Sequence, residues 1–285
     1  MRKAAGIIAL DLDGTLLNSK KELSSGNRAA LERAAAAGYE IVPTTGRFYG
    51  GMPQVIRDLP FIRYVITING AEVRDLQTDE AIYTACIPCA QAVKLMAFLD
   101  QFPLIYDCFM ANRGWMSESL KAKIDETVGD AHYREMLHNL RQGVPELKEF
   151  LTERGEDVQK VQFFTRDARL RLQLMGEIPR RFPEIVSTSS QIQNVELNQL
   201  HANKGEALQA LAHHLGLSCG QTIAFGDGLN DLSMLKRAGI GIAMGNAEAA
   251  VVDVADQVTD TCDKDGVAKG ILKYCFGEGF DEDFM

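Results

Sequence analysis

The chain has 285 residues, of which 46 % are hydrophobic and 24 % are charged, and its formal net charge is -9. This length predicts one large or two modest domains, and the composition is typical of a soluble globular protein. No apolar run reaches the roughly 18 residues that a membrane-spanning helix needs, so we expect no membrane partner and a location in the cytoplasm. The negative charge, without a dense basic patch, argues against a nucleic-acid binder.

The first elements in chain order alternate between strands and a helix. Residues 6–10 form a short apolar run that predicts a buried strand, and residues 25–37 predict a helix that Gly38 ends. Residues 39–43 and 64–68 predict two further strands. This alternation indicates an α/β fold with a doubly wound, Rossmann-like parallel sheet.

Between about residues 80 and 193 the pattern changes to longer amphipathic helices and to strands that alternate in polarity. Helices are predicted at 89–101, 117–128 and 134–141, and a polar strand at 158–165. This stretch contains no phosphate-binding or paired-carboxylate motif, and we expect it to be an inserted α+β domain. The earlier pattern then resumes, with a helix predicted at 204–215 and short strands at 222–225, 241–244 and 257–259.

The chain has six cysteines, and two of them, Cys86 and Cys89, form a C-x-x-C pattern. A redox motif of this kind starts a helix in a thioredoxin-like context, and a zinc site needs a second pair. Here the pair follows a predicted hairpin strand, and the sequence has no second C-x-x-C. We expect no metal at this pair, and the sequence leaves a redox role undecided.

Asp11 and Asp13 follow directly on the first predicted strand. Ligands of open α/β sheets bind at the carboxyl ends of strands, and residues two apart on a strand point to the same side. Gly14 allows the chain to turn sharply after them. Two carboxylates this close repel each other unless a cation lies beside them, and Mg²⁺ prefers such oxygen ligands.

Three more groups occur at the ends of predicted elements. Residues 44–47 (Thr-Thr-Gly-Arg) end the second strand with a hydroxyl and backbone amides that suit phosphate oxygens. Lys204 begins a helix, where an ammonium and a helix N-terminus together suit an anion. Asp227, Asn230 and Asp231 follow a third strand. Each group alone is common in solvated loops, but the combination indicates one site.

The motifs span nearly the whole chain: D-L-D-G-T-L at 11–16, T-G-R at 45–47, N-G-A at 69–71, N-K-G at 203–205, G-D-G-x-N-D at 226–231 and A-M-G-N-A at 243–247. With them the chain resembles the haloacid dehalogenase (HAD) superfamily, in its Cof-type phosphatase branch. The resemblance implies a HAD core formed by residues 1–82 and 193–285, with an inserted α/β cap domain at 83–192 that selects the substrate.

The resemblance also implies a hydrolase that cleaves small phosphorylated metabolites, such as sugar phosphates, through an aspartyl-phosphate on Asp11. Asp13 is then the general acid/base, and Mg²⁺ is held by Asp11, the Asp13 backbone carbonyl and Asp227. Asp231 supports the site. The implied phosphate contacts are Leu12, Thr45, Gly46, Arg47, Lys204 and Asn230. Two of them, Thr45 and Lys204, are also implied to be catalytic.

Other activities share parts of this residue set. A phosphomutase uses both aspartates and stays an alternative. A phospho-receiver module has a similar Asp, Thr and Lys set, but a general base at Asp13 and an inserted domain argue against it, and a dehalogenase would not call for Asp13. The sequence does not identify the metabolite, and we expect a monomer or a weak homodimer.

Overall fold

A computed structural model of the chain describes residues 4–189 and 193–278. These residues form two compact units. The first unit contains residues 4–47, 52–84 and 203–278, and the second contains residues 48–51, 85–189 and 193–202. The predicted domain limits at residues 1, 192 and 285 lie outside the described residues.

The strands, in chain order, are β1 Gly6–Leu10, β2 Tyr39–Pro43, β3 Tyr64–Thr67, β4 Glu72–Asp75, β5 Glu80–Thr84, β6 Ile105–Met110, β7 Arg113–Ser117, β8 Arg141–Val144, β9 Lys160–Phe164, β10 Ile185–Thr188, β11 Asn194–Gln199, β12 Thr222–Gly226, β13 Ile240–Ala243 and β14 Gln257–Val258. The helices are α1 Ser25–Ala36, α2 Gln54–Arg57, α3 Cys89–Leu99, α4 Glu118–Lys121, α5 Ile124–Thr127, α6 Ala131–Leu140, α7 Leu147–Arg154, α8 Ala168–Arg181, α9 Lys204–His214, α10 Leu232–Arg237, α11 Ala249–Val252 and α12 Gly266–Phe276. No helix in the described part of the chain is both long enough and apolar enough to cross a membrane.

The first unit is built on a five-stranded parallel sheet in the order β14-β13-β12-β1-β2. The interior strand β1 pairs with β2 on one side and with β12 on the other, so that Leu10 lies opposite both Pro43 and Phe225. All five residues of β1 are buried, which explains why their sequence is a continuous apolar run rather than an alternation. The predicted parallel-sheet α/β fold is confirmed.

One strand that was expected in the parallel sheet belongs to another sheet. β3 pairs antiparallel with β4, which pairs antiparallel with β5. A parallel bridge between Thr44 and Ile66 joins β3 to the chain just beyond β2. β3 ends at Thr67, one residue before the predicted limit, because Ile68 has a left-handed backbone with φ 53°.

Side-chain caps define where two helices of the first unit begin. Ser24 accepts a hydrogen bond from the Asn27 N–H at the start of α1, and Asn203 accepts one from the Glu206 N–H at the start of α9. α1 packs against α12, and α9 packs against α10. The cap at Asn203 determines that α9 begins at Lys204.

The second unit contains a six-stranded sheet in the order β10-β11-β9-β6-β7-β8. Its strand pairs are antiparallel, except that β7 and β8 run parallel. Residues from α3, α7 and α8, including Leu95, Leu151 and Leu174, form an apolar core with Val161 and Phe163 of β9. This face of the sheet carries the larger apolar cluster, and a smaller one with Ile105 and Phe164 lies on the opposite face.

The opposite face of this sheet carries several buried polar side chains. They lie together on one face because residues two apart on a strand point to the same side. The Asp107 Oδ2 accepts hydrogen bonds from the Arg141 Nε at 2.8 Å and from the Gln162 Nε2 at 2.9 Å. The Arg141 guanidinium lies 4.6 Å from the Phe109 ring centre, and the Lys160 Nζ lies 4.5 Å from it. We call Asp107, Phe109, Arg141, Lys160 and Gln162 the polar face.

The helix predicted at 117–128 is wrong as a single element. The structure has the two short helices α4 and α5 there, and Ser117 belongs to the end of β7. The Ser117 hydroxyl accepts a hydrogen bond from the Leu147 N–H at 3.0 Å instead of capping α4. The first turn of α4 therefore lacks a side-chain cap.

Asn27 joins two backbone segments of the first unit through a side chain that is 1 % exposed. Its Nδ2 donates to the Leu16 carbonyl at 3.1 Å, and its Oδ1 accepts from the Ala268 N–H at 2.9 Å. Asn246 makes the same kind of pair, with the Gly14 carbonyl and the Cys262 N–H, but it is exposed. The two asparagines therefore differ mainly in access to water.

We expect Asn27→Ala to lower the free energy of unfolding by roughly 2–4 kcal/mol, because it leaves two buried backbone groups without partners. Asn246→Ala is the matched control, with an expected loss below about 1 kcal/mol because water replaces the lost bonds. Urea denaturation of both variants measures the difference. Equal losses in the two variants would contradict the role of burial.

Candidate active site

Asp11 and Asp13 lie just beyond the carboxyl end of β1. The Asp11 N–H donates to the Phe225 carbonyl at 3.1 Å, which holds the backbone of Asp11 to β12, and the neighbouring Leu12 is fully buried. Gly14 turns the chain with φ 93°, and a Cβ at this position would lie 2.4 Å from the Asp227 Oδ2. Glycine is therefore required here both for the turn and for the close approach of Asp227.

Lys204 brings a positive charge into this carboxylate group. Its side chain is fully buried, and its Nζ lies 2.6 Å from the Asp11 Oδ1 and 2.6 Å from the Asp231 Oδ1. The two aspartates raise the pKa of the ammonium above its ordinary value, although burial acts in the opposite direction. Lys204 is therefore charged at any physiological pH.

Asp231 uses both of its oxygens within the protein. Its Oδ1 accepts from Lys204, and its Oδ2 accepts from the N–H groups of Asp227 and Gly228 at 3.0 Å each. These bonds shape the loop after β12 and fix Lys204 relative to it. The supporting role of Asp231 in catalysis stays a prediction.

Asp11, Asp227 and Asp231 each present a carboxylate oxygen, and these oxygens lie within 4.8 Å of one another. Asp11 uses Oδ1 for Lys204, and Asp227 uses Oδ1 to accept from the Thr15 hydroxyl at 2.8 Å. Asp11 and Asp227 each keep a further oxygen, Oδ2, that these two bonds do not use. Because all of these donors are carboxylate oxygens, they fit a hard divalent cation such as Mg²⁺.

The crowding of these carboxylates changes their protonation. Burial, with Asp231 and Asp227 nearby, raises the pKa of Asp11 to about 8 even though Lys204 lowers it. Burial is also the main cause that raises the pKa of Asp227 to about 6. An added positive charge would therefore stabilise the ionised forms of both carboxyl groups, as is expected at a metal-binding site.

The Thr45–Gly46 segment follows β2 and faces the N-G-A turn. The Thr45 N–H donates to the Ile66 carbonyl at 2.9 Å, and the Thr45 Oγ1 accepts from the Arg47 N–H at 3.1 Å. The Thr45 hydroxyl proton is then available for an anion. Contacts of Thr45, Gly46 and Leu12 with a phosphate stay predictions.

Arg47, which was predicted to contact phosphate, is paired with Asp13 in the structure. Its Nε lies 2.7 Å from the Asp13 Oδ2, and its Nη2 lies 2.9 Å from the Asp13 Oδ1. Lys21 adds a third contact, with its Nζ 3.0 Å from the Asp13 Oδ1. Burial raises the pKa of Asp13, but the two cations outweigh burial and hold it below its ordinary value.

The Asp13 carboxylate is therefore separate from the three-carboxylate cluster. Participation of its backbone carbonyl in metal binding stays a prediction. Lys21 was not predicted to be part of the site, because it lies in a polar stretch without a motif. Asn69 was given no role either, although the Asn230 Nδ2 donates to the Asn69 Oδ1 at 3.2 Å. The Asn-Gly pair, which is typical of left-handed turns, was the available signal.

The fold and the arrangement of carboxylates, lysine and threonine define a hydrolase of the HAD type. The family model for haloacid dehalogenase-like hydrolases matches residues 8–271, and the chain belongs to this family. It is a phosphatase that acts on phosphoric monoesters, and the family generally uses a divalent metal.

Curated relatives match over nearly their full length. The chain is 31 % identical to the 5-amino-6-(5-phospho-D-ribitylamino)uracil phosphatase YcsE of Bacillus subtilis, covering 93 % of this chain and 94 % of the relative. It is 28 % identical to the pyridoxal phosphate phosphatase YbhA of Escherichia coli, covering 94 % and 98 % respectively. These relatives act on different phosphate esters.

Solved structures show the same fold. A haloacid dehalogenase-like hydrolase from Bacteroides thetaiotaomicron has a TM-score of 0.80 and 32 % identity, covering 94 % of this chain and 98 % of that chain. The HAD subclass IIB sugar phosphatase BT4131 has a TM-score of 0.78 and 26 % identity, covering 95 % and 99 %. The predicted family and fold class are thus confirmed.

The raised pKa values of Asp11 and Asp227 predict that Mg²⁺ binding strengthens with pH. Protons compete with the cation below pKa values of about 8 and about 6, so both carboxyls are largely protonated at pH 5.5. We expect saturating MgCl₂ to raise Tm by roughly 5–10 °C at pH 8 and by much less at pH 5.5. Differential scanning fluorimetry measures both shifts.

Asp227→Asn provides the control, because it keeps an oxygen for the Thr15 hydroxyl but removes a charge. Groups with raised pKa values make the metal-free protein lose stability as pH rises from about 4 to about 8. We therefore expect this variant to have a higher Tm than the parent at pH 8 in EDTA, and a smaller response to MgCl₂. Equal responses of parent and variant would contradict the site.

Proposed function

We propose that the protein is a Mg²⁺-dependent phosphatase of small phosphorylated metabolites, such as sugar phosphates, and that Asp11 forms an aspartyl-phosphate. The observation that carries this proposal is the buried contact of Lys204 with Asp11 beside Asp227 and Asp231. A nucleophilic carboxylate meets an anionic phosphoryl group only where positive charge offsets both.

The chain supplies the nucleophile and part of this charge. The Oδ1 of Asp11 is held by Lys204, which leaves Oδ2 to attack phosphorus as the bond from phosphorus to the leaving oxygen breaks. Mg²⁺, held by Asp11, Asp227 and the Asp13 carbonyl, would offset phosphoryl charge. Lys204 offsets the charge of the same oxygens, and Thr45, Gly46, Asn230 and the Leu12 backbone would orient them.

Asp13 would move protons in both steps. It protonates the leaving alkoxide in the first step, and in the second it takes a proton from the water that cleaves the aspartyl-phosphate and releases phosphate. Arg47 and Lys21 hold Asp13 as a carboxylate in this structure. A phosphoryl group near Arg47 would compete with Asp13 for the guanidinium. This competition would raise the pKa of Asp13, so that its carboxyl group could carry the proton that the leaving alkoxide needs.

A phosphomutase would use the same two aspartates but return the phosphoryl group to a second hydroxyl. The names of YcsE and YbhA as phosphatases favour water as the acceptor. Monomeric or weakly dimeric state and a cytoplasmic location stay predictions.

We also propose that residues 83–192 form the cap that selects the substrate. The polar face supports this proposal, since Asp107 and Arg141 form a buried ion pair at a place where well-packed apolar side chains are often more stabilising. The Asp107 Oδ1 has no hydrogen-bond partner among the described residues. A buried acceptor without a partner lowers stability, so it favours a functional rather than a structural role for the polar face.

Asp13→Asn tests the division of labour between the two aspartates. Removal of an acid/base lowers the rate by about 10²–10⁴-fold, and we expect this loss with an alkyl phosphate. Formation of the phosphoenzyme from p-nitrophenyl phosphate needs little protonation, so this step should slow less. Because the second step still needs an activated water, phosphoenzyme should accumulate, and acid quench with intact-mass measurement detects one added phosphoryl group.

Asp11→Asn is the matched control and should give neither turnover nor a phosphorylated species. Peptide mapping should place the phosphoryl group on Asp11. A phosphoryl group on Asp13 would reverse the two roles. Equal slowing with both leaving groups and no trapped species would remove the covalent mechanism.

An exchange of the second unit tests the selectivity proposal. We replace residues 85–202 by the corresponding segment of YbhA, which is related over nearly its whole length. Preference among a panel of phosphate esters, measured as kcat/KM from released phosphate, should move toward pyridoxal phosphate, while EDTA still abolishes turnover. Unchanged preference in an active chimera would show that the first unit selects the substrate.

A further inference from the structure

The turn at residues 68–70, which we call the N-G-A turn because it overlaps the N-G-A motif at 69–71, has an unusual backbone that the proposed mechanism does not explain. Ile68, Asn69 and Gly70 have consecutive positive φ angles of 53°, 58° and 93°. A left-handed conformation is uncommon for a β-branched residue such as isoleucine and costs on the order of 1–3 kcal/mol. Strain of this kind persists only where the surrounding structure holds it.

Two backbone hydrogen bonds connect this turn to residues 45–47, which we call the phosphate loop because they are predicted to contact phosphate. The Ile68 N–H donates to the Arg47 carbonyl at 3.0 Å, and the Asn69 N–H donates to the Thr45 carbonyl at 3.0 Å. The bonded carbonyls lie on either side of Gly46. The turn therefore fixes the backbone of Gly46 from both sides.

The Asn69 side chain reaches two further groups of the site. It is 6 % exposed, and its Oδ1 accepts the hydrogen bond from the Asn230 Nδ2 at 3.2 Å. A Cβ at Gly46 would lie 2.8 Å from the same Oδ1, so the carboxamide packs directly against the phosphate loop. One side chain thus contacts segments that follow two different strands.

Gly70 brings the same turn against the start of α9. A Cβ there would lie 2.3 Å from the Asn203 carbonyl oxygen and 2.9 Å from the Lys204 nitrogen. The turn therefore touches the segments of Gly46, Asn230 and Lys204, each of which carries a predicted phosphate contact. Its backbone conformation is what permits these three approaches.

We propose that Asn69, held in this turn by the backbone bonds on either side of Gly46, is a positioning residue of the phosphate site that orients Asn230. The Asn230 Nδ2 carries two protons, and the bond to Asn69 uses one and fixes the direction of the other toward an anion. The inference rests on the proposed function only in identifying the anion as phosphate. Asn69 acts through Asn230 rather than by touching the substrate.

The test compares Asn69→Gly, Asn230→Ala and the double variant in the full chain. Glycine accepts the left-handed backbone and removes the whole side chain, including the carboxamide. We expect each single variant to raise the Ki of inorganic phosphate and the KM of p-nitrophenyl phosphate roughly 10-fold, and the double variant to be little worse than Asn230→Ala. Asp79→Gly, at an exposed residue with φ 59°, should leave both constants within about twofold.

The Tm increase that millimolar phosphate produces in MgCl₂ gives a second readout, which needs no turnover. It should shrink in Asn69→Gly and stay unchanged in Asp79→Gly. A lower Tm of the ligand-free Asn69→Gly variant with unchanged phosphate response would mean a purely structural role and overturn the proposal. Losses that multiply in the double variant would also overturn it, because they would show that Asn69 does not act through Asn230.

Failure of the proposed function has a different signature. A parent protein that hydrolyses no phosphate ester would refute the phosphatase proposal. The comparison of phosphate-induced Tm shifts between Asn69→Gly and the parent would still decide the role of Asn69.

Discussion

The buried ammonium of Lys204 between Asp11 and Asp231 is the contact on which the rest of the site depends. Removal of one partner from a buried ion pair typically costs about 3–5 kcal/mol, because an uncompensated charge remains. Here a single cation faces three carboxylates, and burial has already raised the pKa of Asp11 to about 8. The cluster is therefore short of positive charge, as suits a site for a divalent cation.

Two kinds of interaction keep this cluster together. Backbone pairing places Asp11 and Asp227 at the ends of neighbouring strands, because β1 and β12 are parallel and in register. Side-chain bonds then set the finer positions, since Asp231 binds both Lys204 and the amides of its own loop. The sheet brings the charges near each other, and these bonds decide which oxygens stay available.

Local signals explain what could be predicted from the sequence. The continuous apolar run predicted β1 at its observed bounds, and β2 also ends where the sequence indicated. The parallel fold followed from the alternation of strands and helices, and the family followed from the motifs at strand ends. The pairing of β3 with β4 was missed because an apolar run does not reveal which strand lies beside it.

Interactions between distant loops were the part that the sequence did not reveal. Arg47 was expected to contact phosphate, but its place on Asp13 depends on two loops that lie 34 residues apart in the chain. Lys21 has no motif, and its contact with Asp13 depends on the same loop geometry. Such contacts follow from backbone conformations that composition and periodicity do not encode.

The strand order also bears on synthesis at the ribosome. β1 and β2 emerge early, but the other neighbour of β1 is β12, which ends at Gly226. Residues 85–202 of the second unit lie between β2 and β12 in the chain, so they leave the ribosome before β12 does. Domains generally fold as units during synthesis, so the edge of β1 that pairs with β12 stays unpaired while the second unit completes its fold. The nascent chain therefore exposes an unpaired strand edge for most of its elongation, which is a period of vulnerability to aggregation.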